Sequence, residues 1–271
     1  MGAKAEISVG RRVVGDLLRI HRVRLDLTQK EAGDRLHVSE SCFGSYERGE
    51  RIPPMEFLRD ADEALDGRGA FLACIEMMEE EKYPPSFLSW VRMERNALVI
   101  NAYETMLVPG LLQTEAYARA LYEARRPAFT EEEVERHVQA RLERQSVLRR
   151  NSPPYAGYVI EESVLARALG SLGVLKEQLQ HLLESIRRMK HLTVQVMPTV
   201  RHTHAGLNGP MQLMSTEEGR NLVFVEAQGG SKLIHKPEQV SGLFDLFGML
   251  RAQALTPEES AALIERKVEQ L

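Results

Sequence analysis

The sequence predicts an α+β chain: an all-helical N-terminal part followed by an α+β domain with a mainly antiparallel sheet. Three observations predict it. Residues 28–51 carry two sets of helix start and stop signals separated by a tight turn. Between Tyr155 and His235, short runs rich in Val, Ile and other strand formers are punctuated by Gly, Pro and Asn. Around those runs, apolar residues recur at helical spacing, as in Leu175–Lys190. The 271 residues suit a small and a medium domain. They are placed at 1–70 and 103–271, joined by a helical connector at 71–102.

Thr28 is an N-cap with Glu31 three residues on, a capping box. Ala32, Arg35 and Leu36 continue that helix. Gly33 lies inside it, where it costs about 1 kcal/mol relative to Ala, so a close approach by another helix is expected there. His37 and Val38 form the turn, with His37 at a left-handed position that His tolerates better than most residues. Ser39 caps the next helix with half a capping box, since Cys42 stands where Glu would complete it. Phe43 and Tyr46 share its core face, which leaves Glu40, Ser41, Gly44 and Ser45 pointing outward. Gly49 ends the helix and Pro53-Pro54 prevent its continuation.

Two short helices, a tight turn and a polar face on the second make the pattern of a DNA-reading helix-turn-helix. The run Leu27-Thr-Gln-Lys-Glu31, the Val38-Ser39 turn and Tyr46-Glu-Arg-Gly49 resemble the Xre, or phage-repressor-like, domains. The resemblance covers about residues 10–66 and implies five helices. It implies that Glu40, Ser41, Gly44 and Ser45 face base edges in double-stranded DNA. It places Gln29, Lys30, Arg48 and Arg51 at the phosphates, and makes Arg22 and Glu47 an internal salt bridge. The chain departs from the family at His37, where Gly is common, and at Gly44, where a longer side chain often reaches a base. Base reading is therefore expected to be sparse, with Glu40 suited to cytosine N4 and Ser41 to several bases.

Charge supports the assignment less strongly. Residues 1–30 hold seven Lys/Arg against three acids, and residues 31–70 hold five against ten. A basic first helix can face phosphate while the acidic helices face away. A nearly neutral monomer should bind DNA weakly, which favours a homodimer on paired half-sites. The chain's net charge of −4 argues against a general nucleic-acid coat protein. No apolar run approaches the ~20 residues that span a bilayer, and the N-terminus lacks an apolar signal core. The two cysteines, Cys42 and Cys74, fit a reducing cytoplasm.

After this part, a helix is expected from about Phe71 to Lys82, ending at Pro84-Pro85, and a second over 86–102 with Phe87, Trp90, Val91 and Glu94 at helical spacing. Pro109-Gly110 marks a turn, and Thr114 caps a helix to about Ala124. Thr130 and Glu133 start a charged helix over Glu131–Arg150. Strands follow at Tyr155–Glu161, Leu192–Met197, Met211–Ser215, Asn221–Ala227 and Lys232–His235, separated at Gly219-Arg-Asn221 and Gly229-Gly230. The last three form an antiparallel meander. Helices over Pro237–Ala254 and Pro257–Gln270 end the chain, and helices cover one face of the sheet.

The stretch Tyr103-Glu104, then Leu107-Val-Pro-Gly-Leu-Leu-Gln-Thr114, then Tyr117-Ala-Arg119 resembles the C-terminal domain of unknown function in actinobacterial Xre-type regulators, WhiJ-like developmental regulators among them. The likeness continues through Arg141-Leu-Glu-Arg-Gln145, Glu162-Ser-Val-Leu165, Gln178-Leu-Gln-His-Leu182, Val194-Gln-Val-Met-Pro198 and Phe224-Val-Glu226. It implies an antitoxin-like regulator whose C-terminal domain binds a small protein encoded by an adjacent gene. The alternative is a sensor of a small-molecule effector. Leu111, Leu112, Phe224 and Glu226 are the candidate effector or partner site.

Catalysis finds little support. The sequence has no phosphate-cradling glycine loop and no nucleophile elbow. Glu161 and Glu162 are adjacent on a strand and should point to opposite faces. His202 and His204 lack a third ligand nearby, so neither a metal nor another cofactor is expected. The loop Thr199–Pro210 is long for a strand connection and suits a lid or a partner contact.

Overall fold

A computed structural model describes residues 9–80, 85–227 and 230–271. The chain forms two compact units, Met1–Leu88 and Ser89–Leu271. The expected helix end at residues 81–84 and the first half of the Gly229-Gly230 turn lie outside the described residues.

The N-terminal unit contains helices α1 (Val9–Arg24), α2 (Gln29–Arg35), α3 (Glu40–Glu47), α4 (Met55–Ala64) and α5 (Ala70–Glu80). Its core gathers Val14, Leu18, Ala32, Leu36, Phe43, Phe57, Leu58 and Leu65. Phe57 receives both Phe43 and Tyr46, with ring centroids 6.5 and 4.7 Å apart. The fifth helix was expected inside 10–66, but it lies at Ala70–Glu80, where Phe71 and Cys74 are buried in the same core. The reason is burial. Four short helices leave one side of the core open, and the apolar face of α5 closes it.

Helix α6 (Pro85–Glu94) leads into the second unit. The helix expected over 86–102 stops there, and Ala97–Glu104 is strand β1. β1 runs through the middle of the sheet with Ile100, Ala102 and Tyr103 buried, so its apolar residues do not alternate cleanly. A buried strand of this kind cannot be told from a helix by periodicity alone.

The remaining elements are α7 (Glu115–Glu123), α8 (Glu131–Arg144), β2 (Tyr155–Glu161), α9 (Leu172–Arg188), β3 (Leu192–Met197), β4 (Met211–Thr216), β5 (Asn221–Val225), β6 (Lys232–Ile234), α10 (Pro237–Gln253) and α11 (Pro257–Glu269). Thr130 and Glu133 complete the capping box of α8. The six strands lie in the order β3-β2-β1-β4-β5-β6.

The sheet is mixed rather than mainly antiparallel. β1, β2 and β3 run parallel, because α7–α8 and α9 carry the chain back between them. β4, β5 and β6 form the antiparallel meander beside β1. Helices cover both faces, not one. Tyr103, Val159, Met211, Leu213 and Val223 pack with Val240, Phe247 and Leu250 of α10. On the other face Trp90 of α6 meets Phe224 at 5.7 Å between ring centroids. A sheet with parallel strands must bury both faces.

The β3 edge is also closed. Val196 N–H donates to Ser260 Oγ at 2.9 Å, and Leu255 N–H donates to the Val196 carbonyl at 2.9 Å. Among the described residues no helix is long and apolar enough to cross a membrane.

Candidate nucleic-acid interface

The geometry of residues 28–51 is built by caps and glycines. Glu31 N–H donates to Thr28 Oγ1 at 3.2 Å, and the Glu31 carboxylate accepts from Thr28 N–H at 2.8 Å. α2 ends in a Schellman turn: His37 has φ 55°, and Val38 N–H donates to the Gly33 carbonyl at 2.9 Å. A Cβ on Gly33 would lie 2.8 Å from the Val38 carbonyl oxygen. The close approach is thus the turn itself, not a crossing helix. Ser39 Oγ accepts from Cys42 N–H at 3.2 Å and starts α3. α3 ends as α2 does, with Gly49 at φ 69° and Glu50 N–H donating to the Ser45 carbonyl at 2.9 Å.

A polar network locks the two helices together. Arg22 of α1 donates to one Glu47 carboxylate oxygen through Nε at 3.0 Å and Nη2 at 2.7 Å, and to the Leu27 carbonyl through Nη1 at 2.8 Å. Gln29 Nε2 donates to the other Glu47 oxygen. The Glu47 side chain is 4% exposed. Its charge is therefore met by donors on both sides, as a buried carboxylate requires.

The residues expected to touch DNA separate by position. Glu40 and Ser41 are exposed on the first turn of α3. Gly44 and Ser45 are buried, although both were expected to point outward. The Ser45 hydroxyl donates back to the Cys42 carbonyl at 2.7 Å. A Cβ on Gly44 would lie 2.9 Å from Arg48 Nη1 and 3.1 Å from Gln29 Oε1, so two longer side chains cover that position. Lys30 and Arg51 are exposed, and neither forms an ion pair among the described residues.

Arg48 is exposed but paired. Its Nε and Nη2 donate to the Glu50 carboxylate at 3.0 and 2.8 Å, and this hydrogen-bonded partner raises the pKa of the guanidinium. Glu50 sits there because the Schellman turn places it beside the helix end.

In the second unit, the loop Leu107–Thr114 is buried and held by three buried glutamines. Gln113 Nε2 donates to the Val108 carbonyl at 2.8 Å, and Gln145 Nε2 to the Gln113 carbonyl at 2.7 Å. Gln178 Nε2 donates to the Leu112 carbonyl at 2.8 Å, while its Oε1 accepts from Thr114 N–H at 2.7 Å. A buried loop needs such partners for its backbone groups. A Cβ on Gly110 would lie 1.8 Å from Arg141 Nη1.

A helix-turn-helix domain family matches residues 13–70. A family described as a domain of unknown function, DUF5753, matches residues 87–266, well over half of the chain. The chain belongs to the DUF5753 family. No curated protein and no solved structure matches it.

In this DUF5753 chain the four residues of the candidate effector site do not form one lining. Leu111, Leu112 and Phe224 are core residues at 5%, 1% and 0% exposure, and only Glu226 faces solvent. The long loop after β3 is fastened down. Tyr103 donates its hydroxyl to Glu161, and His204 Nε2 lies 3.6 Å from the same carboxylate. Gly206 N–H donates to His204 Nδ1 at 3.1 Å. Glu162 holds Thr199 N–H at 3.0 Å and Lys267 Nζ at 3.2 Å. Glu161 and Glu162 therefore serve the fold separately.

Two features were missed by sequence reasoning. Glu94 and Arg144 form a buried ion pair, and the three loop glutamines act as backbone partners. Gln113, Gln145 and Gln178 all lie within the runs that carry the resemblance to the C-terminal domain of unknown function. Only Gln113, which follows Leu111-Leu112, stood in apolar sequence as a signal; Gln145 and Gln178 lie among charged and polar neighbours.

Proposed function

We propose that this DUF5753 protein is an Xre-type, sequence-specific transcriptional regulator that acts as a cytoplasmic homodimer and carries no catalytic activity. One observation supports it most: α3 buries Phe43 and Tyr46 and leaves its first turn, with Glu40 and Ser41, open. The N-terminal residues of a recognition helix are those that reach base edges. In this reading Glu40 and Ser41 read bases, Gln29, Lys30, Arg48 and Arg51 meet phosphate, and Arg22 with Glu47 holds the frame. Gly44 serves as the floor beneath Gln29 and Arg48, and Ser45 as a helix-internal bond.

Ser41→Ala is then expected to change preference at one base pair by about 1 kcal/mol. Arg51→Ala should weaken all sequences alike and flatten the log affinity–log salt slope by about 0.9. Fluorescence titrations on the selected site and on random DNA check this. Equal losses for both variants on both DNAs would refute the division of roles.

Glu50 competes with phosphate for Arg48. Glu50→Gln should raise affinity for every DNA sequence and steepen the salt slope by about 0.9, one phosphate contact. An unchanged slope would show that Arg48 makes no such contact.

The C-terminal unit, in this proposal, receives the controlling signal, and the partner is a small protein encoded next to this chain, as in WhiJ-like, antitoxin-like regulators. Its exposed apolar residues, Met106, Leu172, Val200 and Leu207 among them, suit such a partner. The test is selection of genomic fragments followed by affinity titration with and without that neighbour. Binding to a palindrome that the neighbour alters supports the reading; specific binding that it leaves unchanged favours a small-molecule effector. That second reading is favoured by the buried Tyr158 hydroxyl, which lies in the field of Glu104 and has no hydrogen-bond partner among the described residues.

A further inference from the structure

Strand register aligns Tyr158 of β2, Ala102 of β1, Gln212 of β4 and Phe224 of β5 in one row across the sheet. Glu104 lies two residues beyond Ala102, on the same face because side chains alternate along a strand. Glu226 lies two beyond Phe224, just past the end of β5. Trp90 packs on Phe224 at one end of this row, with ring centroids 5.7 Å apart. Ala102 adds only a methyl group between its neighbours.

Two donors are buried without partners among the described residues. Trp90 is fully buried and Tyr158 is 3% exposed, yet among the described residues neither the Trp90 Nε1–H nor the Tyr158 hydroxyl has a hydrogen-bond partner. Buried donors are nearly always satisfied, so one at each end of the row points to an acceptor supplied by a ligand. The Tyr158 hydroxyl lies in the electrostatic field of Glu104. Solvent reaches the rim, since Glu104 and Gln212 are partly exposed and Glu226 is exposed.

The carboxylates are also unmatched. Among the described residues no hydrogen bond reaches the Glu104 or Glu226 carboxyl group. Arg141, whose charge acts on Glu104, donates to the Tyr122 hydroxyl at 2.8 Å. Arg144 already forms its ion pair with Glu94, Nη2 to Oε1 at 2.7 Å.

We propose that Glu104, Glu226, Tyr158 and Trp90 form a binding site for a small organic cation, an amine or guanidinium that carries hydrogen-bond acceptors of its own. The cationic end lies between Glu104 and Glu226. Its acceptor atoms meet the Tyr158 hydroxyl and the Trp90 N–H. The proposal deepens the small-molecule reading of the C-terminal unit, but only its consequence at DNA rests on that reading.

The electrostatics agree. Burial first, and then the Glu226 charge, push the Glu104 carboxyl up to about 8, against the opposing pull of Arg141 and Arg144. Burial also raises the Tyr158 hydroxyl, with Glu94 and Glu104 adding to the effect and Arg144 opposing it. Tyr117 of α7 is raised by burial and lies in the fields of Glu104 and Arg167. At pH 7 Glu104 is mostly neutral, and a bound cation favours its ionised form. Binding therefore releases a proton below pH 8, and affinity rises with pH through that range before levelling off.

The test is calorimetric titration of the full chain with 4-guanidinobutyramide, 5-aminovaleramide and ethanolamine, each a cation with an oxygen acceptor, in two buffers of different ionisation enthalpy. At least one cation should bind at pH 7 with release of up to one proton. Glu104→Gln should weaken it about tenfold or more and remove the proton release. Glu226→Gln, at an exposed position that does not endanger folding, should also weaken it. Tyr158→Phe should weaken it while keeping the proton release. No saturation by any of the three at about 10 mM would overturn the site. Equal affinity and proton count in Glu104→Gln and Glu226→Gln would do the same. Binding that meets these expectations but leaves operator affinity unchanged establishes the site and removes only the small-molecule reading of regulation.

Discussion

Glu94→Ala is expected to destabilise the C-terminal unit by about 3–5 kcal/mol, the usual cost of removing one partner of a buried ion pair. The Glu94 and Arg144 side chains are 2% and 7% exposed, and the contact is bidentate, with Arg144 Nη2 2.7 Å from Oε1 and Nε on Oε2. Without Glu94, the guanidinium stays in a site that water hardly reaches. Such a loss is a large share of the 5–15 kcal/mol that holds a typical domain. Trp90, the single tryptophan, lies one helical turn before Glu94, so its fluorescence reports on this unit during urea unfolding. Glu94→Leu combined with Arg144→Met should recover most of the loss, because two apolar groups leave no charge stranded. A midpoint for Glu94→Ala within about 1 kcal/mol of the parent would mean that the pair is solvated in solution.

Gly15→Ala is the second large effect, and it falls on the N-terminal unit. A Cβ at Gly15 of α1 would lie 2.4 Å from the Glu47 carbonyl oxygen and 3.2 Å from that of Tyr46, both backbone atoms of α3. Backbone cannot rotate away as a side chain can, so α1 and α3 must separate. Overpacking of this kind costs about 1–3 kcal/mol. The displaced residue is Glu47, whose carboxylate ties Arg22 and Gln29 to α3, so the shift disturbs the whole frame. Affinity should fall on specific and random DNA together, with a lowered melting temperature of the N-terminal unit. Unchanged melting and affinity would show that α1 and α3 are less closely packed than this geometry requires.

The helix-turn-helix was legible because its determinants are local. A Thr-x-x-Glu box, a left-handed His37, a capping Ser39 and Gly49 act within five residues of themselves. The outward face of α3 was less legible. Helical spacing put Gly44 and Ser45 outside, but the side chains of Gln29 and Arg48 reach across Gly44 from other parts of the motif. In the second unit, the strands with clear β-branched runs and turn residues were placed within one or two residues. β1 was not, because a strand buried on both faces loses its alternation. The buried loop Leu107–Thr114 was visible as apolar sequence, but two of the three glutamines that satisfy it, Gln145 and Gln178, come from 32 and 66 residues away.

By itself, the sequence determined where most helices and strands begin and end, the helix-turn-helix, and the antiparallel meander. Each of these depends on caps, turns and spacing carried by neighbouring residues. Only the tertiary structure decided that α5 completes the first core, that β1 joins a parallel half to an antiparallel half, and that helices cover both faces. It also decided that Gln29 joins Glu47 and that Glu94 pairs with Arg144, while among the described residues the Trp90 N–H and the Tyr158 hydroxyl have no hydrogen-bond partner. Burial and pairing depend on residues that meet only after the chain has folded, and no local pattern encodes those meetings.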